Sequence, residues 1–396
     1  MTRPPEGVAK RLRSKAPALW LARLSLSHFR NYTAATLDLD SRPVLLTGPN
    51  GAGKTNLLEA ISLLAPGRGL RRAKAQELQG LGAEAPWTVA ARVESAEGSH
   101  QIGTGRDPGG SERRAIRIDG RNEKSQSALA AILDIVWLTP QMDGLWREGA
   151  SERRRFLDRL VFAFDPAHAG RVSGYESSLR QRSKLLQEGR ADPHWLSALE
   201  EGLAERGVAI AAARRSLVTR LSRAILGKTE QGKADSGFPR CGLSLEGDLD
   251  RWLEEGSALA TEERLRAALH DSRARDAQLG GAAVGPHRSD LAARHLEKDA
   301  PAGLCSTGEQ KALLIGLVLA HARLIAIERG RPPLLLLDEV AAHLDATRRE
   351  TLYSEILSLG LQAWLTGTEP AVFDPLVGAA QAFAVAEGLV GLEGNE

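Results

Sequence analysis

The sequence predicts an α/β fold: a mostly parallel sheet carrying a phosphate-binding loop, with an α-helical lobe inserted between the two halves of the sheet. Three observations predict it. Residues 48–55 read Gly-Pro-Asn-Gly-Ala-Gly-Lys-Thr, set between a short apolar run and a helical pattern. Residues 333–337 form a second apolar run, which ends on Asp338-Glu339. Between these two motifs, residues 151–272 change to a helical periodicity.

Taken in order, residues 1–19 are basic, with Arg3, Lys10, Arg11, Arg13 and Lys15 ahead of an apolar stretch that Arg23 interrupts. No small-residue cleavage site follows, so a disordered tail fits better than a signal peptide. Alternation through Leu24, Leu26 and Phe29, and again at Leu37 and Leu39, predicts a strand pair. A buried strand at 43–47 then enters the glycine-rich turn. The helix after it carries Leu57, Leu58, Ile61 and Leu64 and stops at Pro66-Gly67. Residues 86–121 read as β structure, with Asp119-Gly120 suited to a type I′ hairpin turn. One more strand, 135–138, leads to Pro140 and Gln141 and completes the first half of the head, 20–150.

In the lobe, Ser151 is the expected cap of a helix whose Phe156, Leu157, Leu160, Val161 and Phe164 share a face. Leu196, Leu199, Leu203, Ile210, Leu217 and Leu221 then mark the seam of a helix packed along a partner. Gly280-Gly281 marks the return to a compact pattern, and residues 273–396 form the second half of the head.

Apolar residues at 42% and charged residues at 26% exclude disordered and fibrous classes. A net charge of +2 leaves nucleic-acid binding to local patches rather than to the chain as a whole. Cys241 and Cys305 show neither CxxC nor Cys/His spacing, which speaks against zinc and a disulfide framework and for a cytoplasmic protein. The apolar run 312–320 gives way to His321 and Arg323, too short a stretch to span a bilayer.

The chemistry starts with Gly48, Pro49, Asn50, Gly51, Ala52, Gly53, Lys54 and Thr55. Glycines let backbone N–H groups turn toward a β-phosphate, Lys54 offsets β/γ-oxygen charge, and Thr55 offers a hydroxyl to Mg²⁺. Asp338 is placed to hold the same Mg²⁺, and Glu339 to orient and partly deprotonate an attacking water. ATP and Mg²⁺ are therefore the expected cofactors, and Glu339, Asp338 and Lys54 the expected catalytic set. An Asp-Glu pair can also merely cap a helix, but the phosphate loop in the same chain makes that reading weak.

Residues 305–311 (CSTGEQK) are similar to the LSGGQ signature of ATP-binding cassette ATPases, with Cys305, Thr307 and Glu309 as departures and Ser306 and Gly308 retained. A hydroxyl, a glycine and a helix start make a second anion site, best explained as gripping the γ-phosphate of ATP on another copy. ATP would then join a homodimer. Ser306 also suits an ordinary N-cap. Asp345 stands where a cassette D-loop places its aspartate, and Gln141 where a Q-loop glutamine would reach the metal and nucleotide. No histidine follows strand 363–366, unlike transporter cassettes; Thr366 or Thr368 takes its place near the γ-phosphate.

As a whole the chain resembles the RecF family of SMC-like ATPases: an ATP-binding cassette P-loop head with an inserted α-helical lobe. The likeness rests on LSLSHFRNY (24–32), GPNGAGKTNLLEAISLLAPGRGLRR (48–72), RRRFLDRL (153–160), GPHRSDL (285–291) and STGEQK (306–311). Ser289 departs from the family's two acids at that point. The separation of Lys54 from Ser306 is too long for a compact transporter cassette and too short for long coiled coils.

The resemblance implies an ATP-dependent DNA-binding recombination mediator in gap repair, replication restart and the SOS response. It implies a dimer formed on ATP, slow hydrolysis as a release switch, and cooperation with RecR and RecO so that RecA replaces single-strand binding protein. Gapped or duplex-junction DNA, and also single strands, would be bound, and no membrane. Two basic groups are candidates for the DNA backbone: Arg68, Arg71, Arg72 and Lys74, and Arg113, Arg114, Arg117 and Arg121. For any one of them a solvated surface charge is the simpler reading, and at 4% aromatic residues base stacking has little support. A transporter ATPase subunit or another SMC-like chromosome-maintenance ATPase are the alternatives.

Overall fold

The computed structural model describes residues 19–107, 114–189, 192–227 and 237–392. The expected basic tail (to residue 18) and Arg113 lie outside the described residues. Two compact units divide the chain, one comprising Met1–Met142, Asp235–Phe238 and Leu314–Glu396, the other Asp143–Ala234 and Pro239–Leu313. This differs from the expected boundaries at 151, 272 and 273: residues 273–313, Ser306 among them, pack with the helical unit. The reason is local. Strand β10 (Asp290–His295) pairs with β9 (Cys241–Glu246), which the helical segment itself supplies.

The first unit contains two six-stranded sheets. One is antiparallel, in the order β2-β1-β4-β5-β6-β7, from β1 (Leu19–Phe29), β2 (Tyr32–Asp38), β4 (Thr88–Ser95), β5 (Gly98–Arg106), β6 (Arg114–Ile118) and β7 (Arg121–Glu123). Alternation is clean in β4, where Val89, Ala91 and Val93 are buried between exposed Thr88, Ala90 and Arg92. The β6–β7 turn has Asp119 and Gly120 at φ 48° and 81°, the expected type I′ signature.

The other sheet runs β15-β14-β3-β13-β12-β8, with β3 (Val44–Thr47), β8 (Ile135–Leu138), β12 (Leu334–Leu337), β13 (Ala363–Gly367), β14 (Gln381–Ala386) and β15 (Leu389–Leu392). Only the β14–β15 pair is antiparallel within it. All four leucines of β12 are buried, each contributing about 2 kcal/mol of apolar transfer. Between the two sheets, Gln362 stands in for a strand: its Oε1 accepts the Leu21 N–H, and its Nε2 donates to the Leu21 and Asp40 carbonyls at 3.0 and 2.8 Å.

In the second unit, the helix Pro193–Leu226 runs 34 residues behind an Asp192 cap and buries Leu196, Leu203, Ile210, Leu217 and Leu221 of the expected seam, while Leu199 is only partly buried. The helix at Ala150–Phe162 is capped by Gly149, not Ser151, which falls one residue inside it. The helix Thr307–Arg329, which belongs to the first unit from Leu314 onward, is long and apolar enough to cross a membrane, but it is mostly buried, as in a core helix. The run 312–320 is only its apolar middle.

Candidate active site

Parallel strands end at a common edge, and strand order decides which side chains meet there. β13 lies between β3 and β12, so Thr366 near its end falls between the P-loop and Asp338. Thr55 Oγ1 donates to Asp338 Oδ1 at 3.0 Å and Thr366 Oγ1 donates to the same oxygen at 2.9 Å. The Glu339 N–H donates to Thr366 Oγ1 at 2.8 Å, holding the next acid in place. Thr366 is buried and bonded to Asp338, whereas Thr368 is exposed.

The P-loop itself is shaped by backbone constraints. Gly48 has φ 148°, and a Cβ there would stand 2.1 Å from the Val385 carbonyl. Gly53, at φ 118°, precedes the helix Lys54–Ser62, where a Cβ would collide with Asn31 and Tyr32. Those two residues grip the loop from outside: Asn31 Nδ2 donates to the Ala52 carbonyl at 3.0 Å and Tyr32 OH to the Gly53 carbonyl at 3.0 Å. Sequence reasoning assigned neither a role, because both bonds join segments about twenty residues apart through tertiary structure.

Lys54 Nζ donates to the Gly48 and Pro49 carbonyls at 2.6 and 2.9 Å. Burial pushes its ammonium pKa down, and the charges of Glu339 and Asp338 oppose that shift. Burial likewise pushes the Asp338 carboxyl up against the hydrogen bonds from Thr366 and Thr55. A cation beside Asp338 would reverse this, and the Thr55 hydroxyl and Asp338 carboxylate are the hard oxygen donors Mg²⁺ prefers. Glu339 adopts φ 52°, an uncommon backbone for a non-glycine residue and frequent at functional sites. Gln141 is exposed in the turn Pro140–Gly144, directly after β8.

Arg71 is drawn to the P-loop helix. Its guanidinium donates to Asn56 Oδ1 at 2.7 Å and to Glu59 Oε2 at 3.2 Å, while Arg30 forks onto the same buried Glu59. Its charge also helps to hold the Asp338 carboxyl down. Arg114 corrects an expectation: it is not a free basic group. Its guanidinium donates to the Leu63 and Gly67 carbonyls, each at 2.6 Å, and burial lowers its pKa to about 10. It ties the end of the P-loop helix to the antiparallel sheet. Arg68, Lys74, Arg117 and Arg121 are exposed, Arg117 touching Asn122 at 3.3 Å.

In the second unit, Ser306, Thr307 and Gly308 are exposed at the start of the helix Thr307–Arg329. Ser306 Oγ accepts the Glu309 N–H at 3.4 Å and Glu309 Oε2 accepts the Ser306 N–H at 3.1 Å, a capping box. A hydrogen bond from Lys298, then that from Ser306, pull the Glu309 carboxyl down to about 2. Lys311, one turn on, pairs with Asp143 at 3.0 Å. Asp345 caps the helix Ala346–Ser358 by accepting the Arg348 N–H at 2.9 Å and remains exposed. Ser289 is buried next to Asp250, where burial raises the carboxyl pKa and the serine hydroxyl counters it.

Comparison with known proteins agrees with this geometry. Residues 20–373 match the RecF/RecN/SMC N terminal domain family. The DNA replication and repair protein RecF of Rhizobium leguminosarum bv. trifolii (strain WSM2304) is 49% identical over 371 residues, covering 93% of this chain and 98% of its own. A solved recombination mediator protein RecF of the RecFOR pathway, with ATPrS, superposes with a TM-score of 0.83 at 25% identity, over 96% of this chain and all of that one. A second, with ATP, gives 0.78 at 27% identity, over 95% and 99%.

Proposed function

The chain belongs to the RecF family, and from that premise we propose that it is an ATP-dependent recombination mediator whose two copies close on DNA. The single observation that carries the ATPase part is the junction of Thr55, Asp338 and Thr366 at one carboxylate oxygen, with the Glu339 backbone attached to it. Phosphates would lie along the loop 48–55, where Lys54 exchanges its carbonyl partners for their oxygens. Thr55 and Asp338, with Gln141 beside the strand ends, would hold Mg²⁺, which supplies charge neutralisation on the β- and γ-phosphates when bound. Glu339 then orients water and takes up its proton. Hydrolysis is slow and releases the dimer.

Ser306 and Gly308 present an exposed helix start and Asp345 an exposed carboxylate, as parts offered to a second copy would be. Arg68, Lys74, Arg117 and Arg121 supply exposed cations for phosphate contact, in keeping with a duplex or junction backbone. RecR, and through it RecO and RecA, are the expected protein partners, in the cytoplasm. Light scattering with ATP, ADP or no nucleotide, with and without gapped DNA, tests this. A dimer specific to ATP, with salt-sensitive binding to the gap, is expected; a mass unchanged by ATP in both arms refutes the reading.

A further inference from the structure

The signature segment ends on a glutamate where cassette signatures have glutamine, and the difference creates an electrostatic problem. A helix start attracts anions because its first N–H groups have no partner within the helix. Here Glu309 already uses that property, its carboxylate accepting the Ser306 N–H. A γ-phosphate approaching Ser306 and Gly308 would meet a like charge about one residue length away. The neutral amide of a glutamine would pose no such conflict, although it could form the same capping box.

A second element supplies the answer. The hairpin of β10 and β11 (Ala300–Pro301) turns through residues 296–299 and leads within a few residues into the signature segment. Lys298, in that turn, donates through its ammonium to Glu309 Oε1. Its neighbours are occupied elsewhere: Asp299 accepts from Arg294 at 2.8 Å, and Glu297 from Arg240 at 2.8 Å. The Lys298 ammonium is thus the group that the turn aims at the signature. Lys298 stands outside every motif of the sequence.

We infer that Lys298 is a positioning residue of the signature segment: it holds Glu309 by Oε1 and offsets its charge, so that the γ-phosphate on a second copy can take the helix start. This rests on the reading that Ser306 faces ATP held by another copy. Lys298 acts through Glu309, so it matters only while that side chain is charged.

The test is a double-mutant cycle on the full chain, read as the ATP-dependent dimer dissociation constant, with ATP affinity of the monomer and the melting temperature followed in parallel. The parent must first dimerise on ATP; if it does not, the dimer reading itself fails. Given that, Lys298→Ala should weaken the dimer about tenfold, since a modest exposed-pair effect enters at both sites of a symmetric dimer. Monomer ATP affinity should stay unchanged. Lys298→Arg should restore dimerisation, and Glu309→Gln should tighten the dimer by removing the competing anion. Lys298→Ala in the Glu309→Gln background should then cost nothing further. A Lys298→Ala dimer as tight as the parent's, or a defect that persists in that background, overturns the inference. So does a Glu309→Gln variant as defective as Lys298→Ala, because Lys298 would then only staple the hairpin to the helix.

Discussion

The two units differ in where they place charge. In the P-loop unit the core is hydrocarbon, a continuous cluster from Leu19 to Val385, and ionisable groups such as Lys54 and Asp338 gather at the ends of the parallel strands. The second unit places ions inside. Arg182, fully buried, donates to Glu200 at 2.9 Å, Asp276 at 2.8 Å and the Leu269 carbonyl at 2.6 Å, and Arg273 joins it on Glu200. Asp158 is shared by Arg214 and His168, each at 2.8 Å. The first unit sets its charge at the strand ends and around the P-loop helix, where Arg30 and Arg71 hold Glu59 and Arg114 holds the helix end; the second spends its charge on fixing helices to one another, and its exposed signature is left to cap itself.

The largest expected effect breaks the first half of this comparison. Lys54→Ala removes charge-assisted bonds to the β- and γ-phosphates, each worth about 1.5–3 kcal/mol, so ATP affinity should fall at least about a hundredfold. Equilibrium binding of a fluorescent ATP analogue checks this, and unaltered affinity would remove the P-loop assignment. Ser306→Arg attacks the other half. Monomer ATP affinity should change less than about twofold, while ATP-dependent dimer and hydrolysis are lost, because the cation fills the place of the opposing γ-phosphate. Loss of nucleotide binding in that monomer would reduce Ser306 to a helix cap.

Next in size is the interior of the second unit. Arg182→Ala leaves Asp276 and part of Glu200 as uncompensated buried charges and should cost about 3–5 kcal/mol of stability. Urea denaturation measures it, and ATP affinity of the folded fraction should stay that of the parent. A cost under about 1 kcal/mol would mean that the network is incidental and that the two units do not differ as described.

What was legible in the sequence follows the same division. The P-loop and Asp338-Glu339 are contiguous motifs whose chemistry depends on a strand and a turn, and both stand where the apolar runs placed them. The sequence left two threonines, Thr366 and Thr368; only the fold, which buries Thr366 against Asp338 and leaves Thr368 exposed, tells them apart. Arg114 misled because an arginine beside a hairpin looks the same in sequence whether it faces solvent or the carbonyls that end another helix. Asn31, Tyr32 and Lys298 act on segments brought near by folding, and no spacing rule reaches them. The buried arginines were invisible for a related reason: helical periodicity marks apolar faces, and Arg182 and Arg214 lie on faces that polar partners complete.

The smallest effect is a matter of pH and sharpens the contrast. His287 Nε2 donates to the Ala282 carbonyl at 3.1 Å, so Nδ1 is the acceptor of a hydrogen bond from the Tyr175 hydroxyl at 2.7 Å. Burial, joined by the charges of Arg288 and Arg154, lowers its pKa to about 4 from 6.5. Because the folded-state pKa is the lower one, the unfolded chain binds the extra proton first. The stability this ring confers is therefore present above pH 6.5 and is lost as pH falls toward 4. Between pH 7 and 5 the loss should be about 2 kcal/mol. Asp250, whose carboxyl burial raises, works in the opposite direction, so the comparison must be made against His287→Gln, which keeps a donor and an acceptor but does not titrate. Urea melts of the two proteins across that range should converge as pH falls, with the parent losing more. Parallel pH slopes would mean that His287 titrates in the fold as it does in the unfolded chain, and that the fold does not lower its pKa.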